Sequence, residues 1–464
     1  MSGRGRFLTG STMGHVVRMT LTGAMGITFV FVVDAANLFW ISLLGDARLV
    51  AAVGFAFAVQ FFSVSSGIGL MIASTALISR SIGAGNRAQA RRHAGSAIVI
   101  AGCAQLTVAT LLVVFRHELL ALAGAQGETA AMAARYLAIS LPSLGVMAVG
   151  MIANGALRAE GDGRRSMLVT LLSGAVAMVV DPVMIYGLGW GLDGAAWGLV
   201  MFRFVMTAIA LRFAISTHDL IAMPRLAGIA DSLRPFLTIA LPAILTQLAT
   251  PAGGYMLTGV MAQYGDDAMA GWAVVGRLLV VAFGGIFSLA GAIGGIFGQN
   301  FGACDYGRVR QTYRDALIFG LAYVLVTWAV LALAGRAVVD AFALSPEGAG
   351  VVLAFTHVAA GGFLFTAGLY VANSAFNAMG KPVRATMMNW LREGALTLPF
   401  ALLLSGWFGA TGVVYAQAAT GIAAGLLAGA WGWYFVRGLD RRMVPPLDLE
   451  PPRPYANADR FRRR

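Results

Sequence analysis

Apolar residues fill long, unbroken stretches of this chain, and polar residues are largely confined to the short segments between them. Stretches such as 97–115, 167–187 and 319–334 lack the polar face that a helix of a soluble protein needs. Each is close to the length that crosses the hydrocarbon core of a bilayer, about 20 residues. The pattern predicts twelve membrane-spanning helices, at 15–44, 49–79, 95–115, 131–157, 166–187, 194–215, 234–262, 268–298, 314–334, 347–377, 385–407 and 410–436.

The charged residues indicate how these helices are oriented. Only 12% of the 464 residues are charged, about half the share in a soluble protein. The net charge of +12 would suggest a nucleic-acid partner on a soluble domain, but here arginines cluster in every second connection, as in 80–92 and 158–165. By the positive-inside rule, both termini face the cytoplasm. We therefore predict a multi-pass protein of the inner (cytoplasmic) membrane, with no nucleic-acid partner and no removable signal peptide.

Corresponding connections in the two halves of the chain share residues at one constant offset in number. The segment GAGNRAQARR from Gly83 resembles GACDYGRVRQ from Gly302, and we call the interval between these two glycines the repeat offset. The segments from Gly155 and Ser374 match at the same offset. Two halves of six spans each must have the same orientation, so the repeat is parallel, with its axis along the membrane normal. The predicted fold is an all-α integral membrane protein with two pseudo-symmetric six-helix lobes.

The polar breaks set the limits of these lobes. We predict an N-terminal lobe at 1–216, a cytoplasmic linker at 217–231, a C-terminal lobe at 232–438, and a proline-rich tail at 439–464 that is expected to be disordered. A parallel repeat places a binding cavity between its lobes and permits alternating access when one lobe rocks against the other. This architecture is typical of a secondary transporter, whereas a channel or a membrane enzyme does not need it.

Four motifs resemble those of the multidrug and toxic compound extrusion (MATE) transporters. They are LISRSIGAGNRAQARR from Leu77, ALRAEGD from Ala156, DPVMIYGLGWGLDGAA from Asp181 and GQNFGA from Gly298. The resemblance covers nearly the whole chain. It implies the export of small cationic or amphipathic organic compounds, driven by the entry of H⁺ or Na⁺.

Two carboxylates are the clear cases of an acidic residue in mid-span and are candidates for ion coupling. A charge at the centre of a membrane costs about 3 kcal/mol or more, so Asp34 and Asp181 are functional hypotheses by default. Their repeat mates, near Gly253 and Phe400, cannot titrate, which places the predicted coupling site in the first lobe. Structural alternatives stay open: Asp181 could mark a kink at Pro182, and Asp34 could be a polar residue packed between helices.

The resemblance adds Asn37 to this site and bears on the ion. Asn37, rather than Asp34, aligns with the aspartate that relatives usually carry in the first span. Ala177 and Leu199 stand where relatives often have Asn and Thr, whose oxygens could help to bind Na⁺. These departures favour protons over Na⁺. Thr22 stands near an early proline of many relatives, so a mechanism that bends the first span at that proline does not carry over.

Uncharged polar residues within the spans could line the cavity between the lobes. The alternative for each, and the commoner use of such residues, is a hydrogen bond between packed helices. The candidates are Gln60, Asn154 and Tyr186 in the first lobe, and Gln247, Tyr255 and Asn373 in the second. Four ionised residues are expected near span ends, where long side chains reach the membrane surface. They are Arg203, Arg277, Arg392 and Glu393.

The predicted protein is a secondary active exporter that exchanges a small organic compound for protons. We expect no cofactor and no metal site, because no His or Cys pairs with a carboxylate at metal-ligand spacing and no phosphate-binding loop follows a strand. Membrane lipids are the other expected partners, and no obligate protein partner is predicted. The alternative is a flippase for a lipid-linked or polysaccharide precursor, which should present several inward Arg or Lys residues. A membrane-embedded enzyme would need a catalytic cluster that the sequence lacks.

Overall fold

The structure is a computed structural model that describes residues 5–441, and this range is almost entirely helical. A short helix, Arg116–Leu122, connects two of the twelve long helices. The long helices are α1 (Thr12–Ser42), α2 (Ala47–Gly83), α3 (Arg87–Val114), α4 (Gly127–Glu160), α5 (Gly163–Gly187), α6 (Gly191–Thr217), α7 (Leu226–Met261), α8 (Gly265–Gly302), α9 (Tyr306–Ala341), α10 (Pro346–Ala378), α11 (382–408) and α12 (Ala410–Arg437). The predicted all-α, twelve-helix fold is confirmed.

Several of the long helices are interrupted. Short 3₁₀ turns divide α4 and α10, at Leu141–Ser143 and Ala359–Gly362. Wider π turns occur in α5, α6 and α11, at Val183–Gly187, Phe213–Thr217 and Leu391–Leu396. Such π turns are frequent at functional sites. Two of them lie beside acidic residues, since the turn in α5 follows Asp181 and the turn in α11 contains Glu393.

Length and composition make these helices membrane spans. Ten stretches of the described residues are long and apolar enough to cross a membrane, and one of them, Leu226–Gly302, covers both α7 and α8. The remaining span, α11, is divided by its π turn into shorter helices. The chain is therefore a multi-pass integral membrane protein.

The two lobes, α1–α6 and α7–α12, meet at the end of the molecule that holds both ends of the described chain. We call this end the base. There, Arg80 Nε donates a hydrogen bond of 2.6 Å to the Ala378 carbonyl, and Gln299 Nε2 donates one of 2.6 Å to the Ala159 carbonyl. The repeat offset separates Arg80 from Gln299, and it also separates Ala159 from Ala378. The lobes are thus related by the offset that the sequence predicts.

Glycines allow α2 and α8 to approach each other closely at the base. A Cβ on Gly83 would lie 2.0 Å from the Gln299 carbonyl oxygen, and a Cβ on Gly302 would lie 2.1 Å from the Arg80 carbonyl oxygen. Gly83 and Gly302 are the two glycines that define the repeat offset. Both backbone contacts therefore require glycine, and they hold the two lobes together around their symmetry axis.

The segment 5–11, which we call the N-terminal strap, runs across both lobes at the base. Phe7 is only 2% exposed, and its ring packs so close to Gly161 that a Cβ there would lie 2.9 Å from Phe7 Cζ. The Phe7 amide donates to Gln299 Oε1 at 2.9 Å, and Arg308 Nη2 donates to the Phe7 carbonyl at 2.8 Å. The strap therefore covers the junction of the lobes and closes the base.

Parts of the predicted linker and tail differ from expectation or fall outside the described range. α7 begins at Leu226, so the second part of the predicted linker 217–231 is helical. Of the predicted tail 439–464, Leu439–Arg441 form a 3₁₀ turn, and the rest lies outside the described residues, as do residues 1–4.

Candidate functional site

The carboxylate of Asp181 lies inside the first lobe, at the point where α5 is interrupted. Pro182 follows it, and the π turn begins at the next residue. Asp181 is only 3% exposed. Its Oδ2 atom accepts a hydrogen bond of 2.7 Å from Asn37 Nδ2. Its Oδ1 atom is buried and has no hydrogen-bond partner among residues 5–441. A buried carboxylate oxygen without a donor is costly, which marks this group as a candidate for binding a proton or a cation.

Gly198 of α6 makes room for this carboxylate. A Cβ at Gly198 would lie 2.0 Å from Asp181 Oδ1 and 3.1 Å from its Cγ. One turn earlier on α6, a Cβ at Gly194 would lie 2.6 Å from the Met184 carbonyl oxygen. Neither glycine was predicted from the sequence to belong to the site. Their spacing of four residues is the small-residue pattern that lets membrane helices approach closely, and it could have identified this face of α6.

Asp34 and Asn37 reach the site from α1, which packs along α5. Gly174 of α5 lies against Phe29 and Val33, since a Cβ on it would lie 2.7 Å from the Phe29 ring. Asp34 follows directly, is exposed, and is near enough to Asp181 for the two carboxylates to interact electrostatically. The structure therefore brings together the three residues predicted for coupling. Asn37 makes the direct contact, and Asp34 lies one turn away on the same helix.

Tyr186 follows Asp181 on α5, and its side chain connects α5 to the end of α1. The Tyr186 hydroxyl donates a hydrogen bond to the Trp40 carbonyl oxygen, and the two rings meet edge to face with centroids 6.5 Å apart. Tyr186 is itself partly exposed. Trp40 was not identified from the sequence, because an aromatic residue near a span end is a common membrane anchor and carries no specific signal.

Gln60 lies in a buried hydrogen-bond network around Arg203. Gln60 Nε2 donates to Ser140 Oγ at 2.8 Å, and Gln60 Oε1 accepts from Arg203 Nη2 at 3.2 Å. Arg203 Nη1 also donates to the Ser140 carbonyl at 2.6 Å and to Ser143 Oγ at 2.8 Å. The prediction that Arg203 extends to the membrane surface is wrong. It is 2% exposed, because groups from α2 and α4 meet its guanidinium inside the lobe.

The remaining cavity candidates differ in exposure. Asn154 of α4 and Asn373 of α10 are buried, are related by the repeat offset, and each has an Oδ1 atom without a hydrogen-bond partner in the described part of the chain. Gln247 is half-buried, and Tyr255 is 62% exposed, both on α7. The predicted cavity set stays a prediction.

Two further ionised residues are buried in the second lobe, although the sequence predicted them near span ends. Arg392 and Glu393 lie in the π turn of α11 and are 7% and 5% exposed. Arg392 Nη1 lies 2.9 Å from Glu393 Oε1. The prediction that they extend to the membrane surface is wrong for both, because each neutralises the other inside the protein. Arg277, in contrast, is exposed on α8.

The comparisons with known proteins agree with this architecture. The sequence model of the MatE family matches residues 24–183 and 242–403. The chain belongs to the MatE family. The two matched segments fall one in each lobe, as the parallel repeat requires. The predicted family and the two-lobed fold are confirmed, and a MatE chain is a membrane transporter rather than an enzyme by family.

Relatives of this MatE chain carry several names. It is 24% identical to a FAD transporter of Shewanella oneidensis, over 90% of this chain and 94% of that protein. It is 25% identical to the multidrug export protein MepA of Staphylococcus aureus, over 82% and 84%. A multidrug resistance MATE family transporter solved in an outward-facing conformation shares its fold, with a TM-score of 0.88, 22% identity and coverage of 95% and 99%. A MOP superfamily transporter from Pyrococcus furiosus gives a TM-score of 0.86 at 22% identity, with 94% and 98% covered.

Proposed function

We propose that this protein exports small cationic or amphipathic organic compounds across the inner membrane in exchange for protons. The observation that carries the proposal is the state of the Asp181 carboxylate. It is buried, one oxygen accepts a single neutral hydrogen bond from Asn37, and the other has no partner in the described residues. Uptake of one proton on the unpaired oxygen would neutralise this carboxylate. Loss of the proton would restore a charge that the membrane interior disfavours.

The surroundings of Asp181 support protons over Na⁺. A sodium ion is a hard cation that needs several oxygen ligands. Next to Asp181, Gly198 brings no side chain at all, and the buried Ala177, one helical turn before it, brings only a methyl group. A proton, in contrast, needs only one oxygen atom and no set of coordinating ligands.

The closed base supports export by alternating access. In the conformation described, the strap and the α2–α8 contacts seal the base, while Asp34 is exposed. We propose that the base faces the cytoplasm, as the arginine pattern predicts, so that this conformation is the one that faces outward. Protonation of the Asp34–Asp181 pair would then accompany release of the exported compound to the outside.

An anionic cargo is the second candidate, because one relative is named a FAD transporter. Such a cargo, like the lipid-linked precursor of a flippase, would favour basic side chains along the cavity. Of the arginines singled out within the spans, Arg203 and Arg392 are buried among protein groups, whereas Arg277 is exposed on α8. The burial of Arg203 and Arg392 favours the cationic or amphipathic cargo.

The proposal is tested by ethidium efflux from proteoliposomes under an imposed pH or Na⁺ gradient, comparing native protein with Asp181→Asn. We expect an acidic exterior to drive efflux, and Asp181→Asn to lower the rate about tenfold or more, since its amide cannot exchange a proton. Asp231→Asn, an exposed carboxylate in α7, is the matched control and should retain the native rate.

Two results would contradict the proposal. Efflux driven by a Na⁺ gradient alone would overturn the assignment of protons. Transport of FAD without transport of ethidium would favour the anionic cargo.

A further inference from the structure

The ion pair of Arg392 and Glu393 has no part in the coupling site of the first lobe. It lies in the π turn of α11, in the second lobe. Arg392 Nη1 and Glu393 Oε1 are 2.9 Å apart, and both side chains are buried. Replacing such a pair by apolar residues is often neutral or even stabilising, because desolvation offsets the attraction between the charges. A contribution to stability is therefore not a sufficient reason for two charged residues at this place within a membrane span.

The position of Glu393 corresponds to that of the first-lobe site. Glu393 lies against Gly253 of α7, since a Cβ there would be 2.0 Å from Glu393 Oε2. The repeat offset relates Asp34 to Gly253, and it relates Gly174 to Glu393. In the first lobe the carboxylate is on α1 and the glycine on α5. In the second lobe the glycine is on α7 and the carboxylate on α11. Gly174 itself lies against Phe29 and Val33, and Asp34 follows Val33 directly. Each lobe thus has a carboxylate near this helix crossing, on α1 in the first lobe and on α11 in the second.

Asp181, on α5 of the first lobe, and Glu393, on the equivalent helix α11 of the second, have partners that differ in charge. Asp181 is held by the neutral amide of Asn37, whereas Glu393 is held by the guanidinium of its neighbour Arg392. The hydroxyl of Thr397 donates to the Arg392 carbonyl at 2.8 Å, and Tyr370 of α10 also contacts the Arg392 side chain. Arg392 Nε is buried without a partner in the range 5–441. Its guanidinium is therefore incompletely satisfied where it lies.

Resting on the proposed function, we infer that Glu393 is a cation-binding carboxylate of the second lobe, occupied by Arg392 until a cationic group of the transported compound replaces it. Arg392 acts as a tethered cation. The π turn carries both residues, and turns of this kind are frequent at functional sites. Rotation of the Arg392 side chain away from Glu393 would free the carboxylate while Glu393 stays over Gly253. The ligand class is a monovalent organic cation, whose charge the carboxylate would balance.

Equilibrium dialysis of tetraphenylphosphonium against the full chain in lipid nanodiscs tests this inference. No gradient is applied, and the pH is constant. We expect Glu393→Gln to weaken binding about tenfold or more, because a charged partner is lost. Arg392→Gln should strengthen binding by about tenfold, because it removes the competitor. The double variant should bind as weakly as Glu393→Gln, although its unfolding midpoint returns towards that of the native protein.

A purely structural ion pair predicts the opposite pattern. Arg392→Gln would then weaken binding, and the double variant would restore binding together with stability, which would overturn the inference. If Arg392→Gln does not fold, the double variant decides between the two. Native protein that does not bind tetraphenylphosphonium also overturns it. The expected binding pattern without transport driven by a pH gradient would overturn the proposed function and leave the second-lobe site standing.

Discussion

The two lobes of this protein share a backbone plan but exchange residues between equivalent helices. At one crossing, the hydroxyl of Thr75 on α2 faces Gly155 on α4 in the first lobe, where a Cβ on Gly155 would lie 2.8 Å from it. In the second lobe the glycine is Gly294 on α8, and the hydroxyl belongs to Ser374 on α10, 3.5 Å from the corresponding Cβ position. The repeat offset relates the residues of the first crossing to those of the second, helix by helix. A crossing can therefore be conserved in shape while its chemistry moves to the opposite helix.

The carboxylates Asp181 on α5 and Glu393 on the equivalent helix α11 separate two tasks through their partners. In the first lobe a carboxylate with a neutral partner and an unpaired oxygen is suited to take up a proton. In the second lobe a carboxylate with a guanidinium partner is already neutralised. Equal architecture thus does not imply equal function, and the partner of each carboxylate is what distinguishes the lobes.

The largest expected effect comes from adding a methyl group beside each carboxylate. Gly198→Ala places a Cβ 2.0 Å from Asp181 Oδ1, so the carboxylate must move and lose its bond to Asn37. We expect proton-driven ethidium efflux to fall to about a tenth or less. Gly187→Ala, where the nearest atom is 3.6 Å away, is the control on α5. Efflux at the native rate in Gly198→Ala would show that the position of Asp181 does not matter.

The corresponding change in the second lobe sharpens the comparison. Gly253→Ala displaces Glu393 in the same way, and it should weaken tetraphenylphosphonium binding about tenfold while the residual efflux still responds to the pH gradient. Gly254→Ala has open space around it and should change neither measurement. Loss of the response to pH in Gly253→Ala would mean that the two lobes share one task.

A smaller effect is expected at Gln60, whose contacts are structural in this conformation. Gln60→Leu removes a hydrogen bond to the charged Arg203 and another to Ser140. We expect the unfolding free energy, measured by titration with a denaturing detergent, to fall by about 2 kcal/mol. Gln247 of the second lobe makes no side-chain hydrogen bond within the described residues, so Gln247→Leu should stay within about 0.5 kcal/mol of the native value. Weaker dye binding at unchanged stability in Gln60→Leu would instead place Gln60 in the cavity.

The smallest effect concerns the base, where the lobes again differ. Asp162 caps α5 through the Arg165 amide at 3.1 Å and meets His218 Nε2 at 2.8 Å. Its mate at the repeat offset is Lys381, whose side chain makes no cap to α11. Asp162→Ala should cost about 1 kcal/mol of unfolding free energy, whereas Lys381→Ala should cost about 0.5 kcal/mol or less.

The cost of Asp162→Ala should depend on pH. Burial alone would raise the pKa of Asp162, but hydrogen bonds from His218 and Arg165 outweigh it and hold the pKa well below its usual range. Because the folded pKa is lowered, the contribution of Asp162 is present above the unfolded pKa, about 3.9. It is lost as the pH falls below that value and through the folded pKa. Equal costs at neutral and strongly acidic pH would contradict this account.

The sequence predicted the topology well because every backbone polar group in a membrane must be satisfied within its own helix. The twelve apolar stretches were therefore enough to predict the twelve helices. The repeat offset was enough to predict that the two lobes are equivalent. Asp34, Asn37 and Asp181 could be selected from the sequence because polar residues within apolar helices are conspicuous, and they lie near one another in the structure.

The buried arginines could not be predicted in the same way. The guanidinium of Arg203 donates hydrogen bonds to groups of α2 and α4. The sequence around Arg203 does not indicate hydrogen-bond partners that lie on other helices. Arg392 and Glu393 are adjacent in the π turn of α11, and both are buried. Long charged side chains in an apolar span usually reach the membrane surface, which is why a span end was the natural expectation.

The N-terminal strap is synthesised first, but it can dock on the base only late in synthesis. Phe7 cannot form its hydrogen bonds until Gln299 and Arg308 have been synthesised, 292 and 301 residues later. At about 5–20 residues per second, that interval is roughly 15–60 s of synthesis. The first lobe must therefore enter the membrane with its base still uncovered. Docking of the strap then requires that α8 and α9 are already in place, so a sealed base is a sign that the second lobe has assembled.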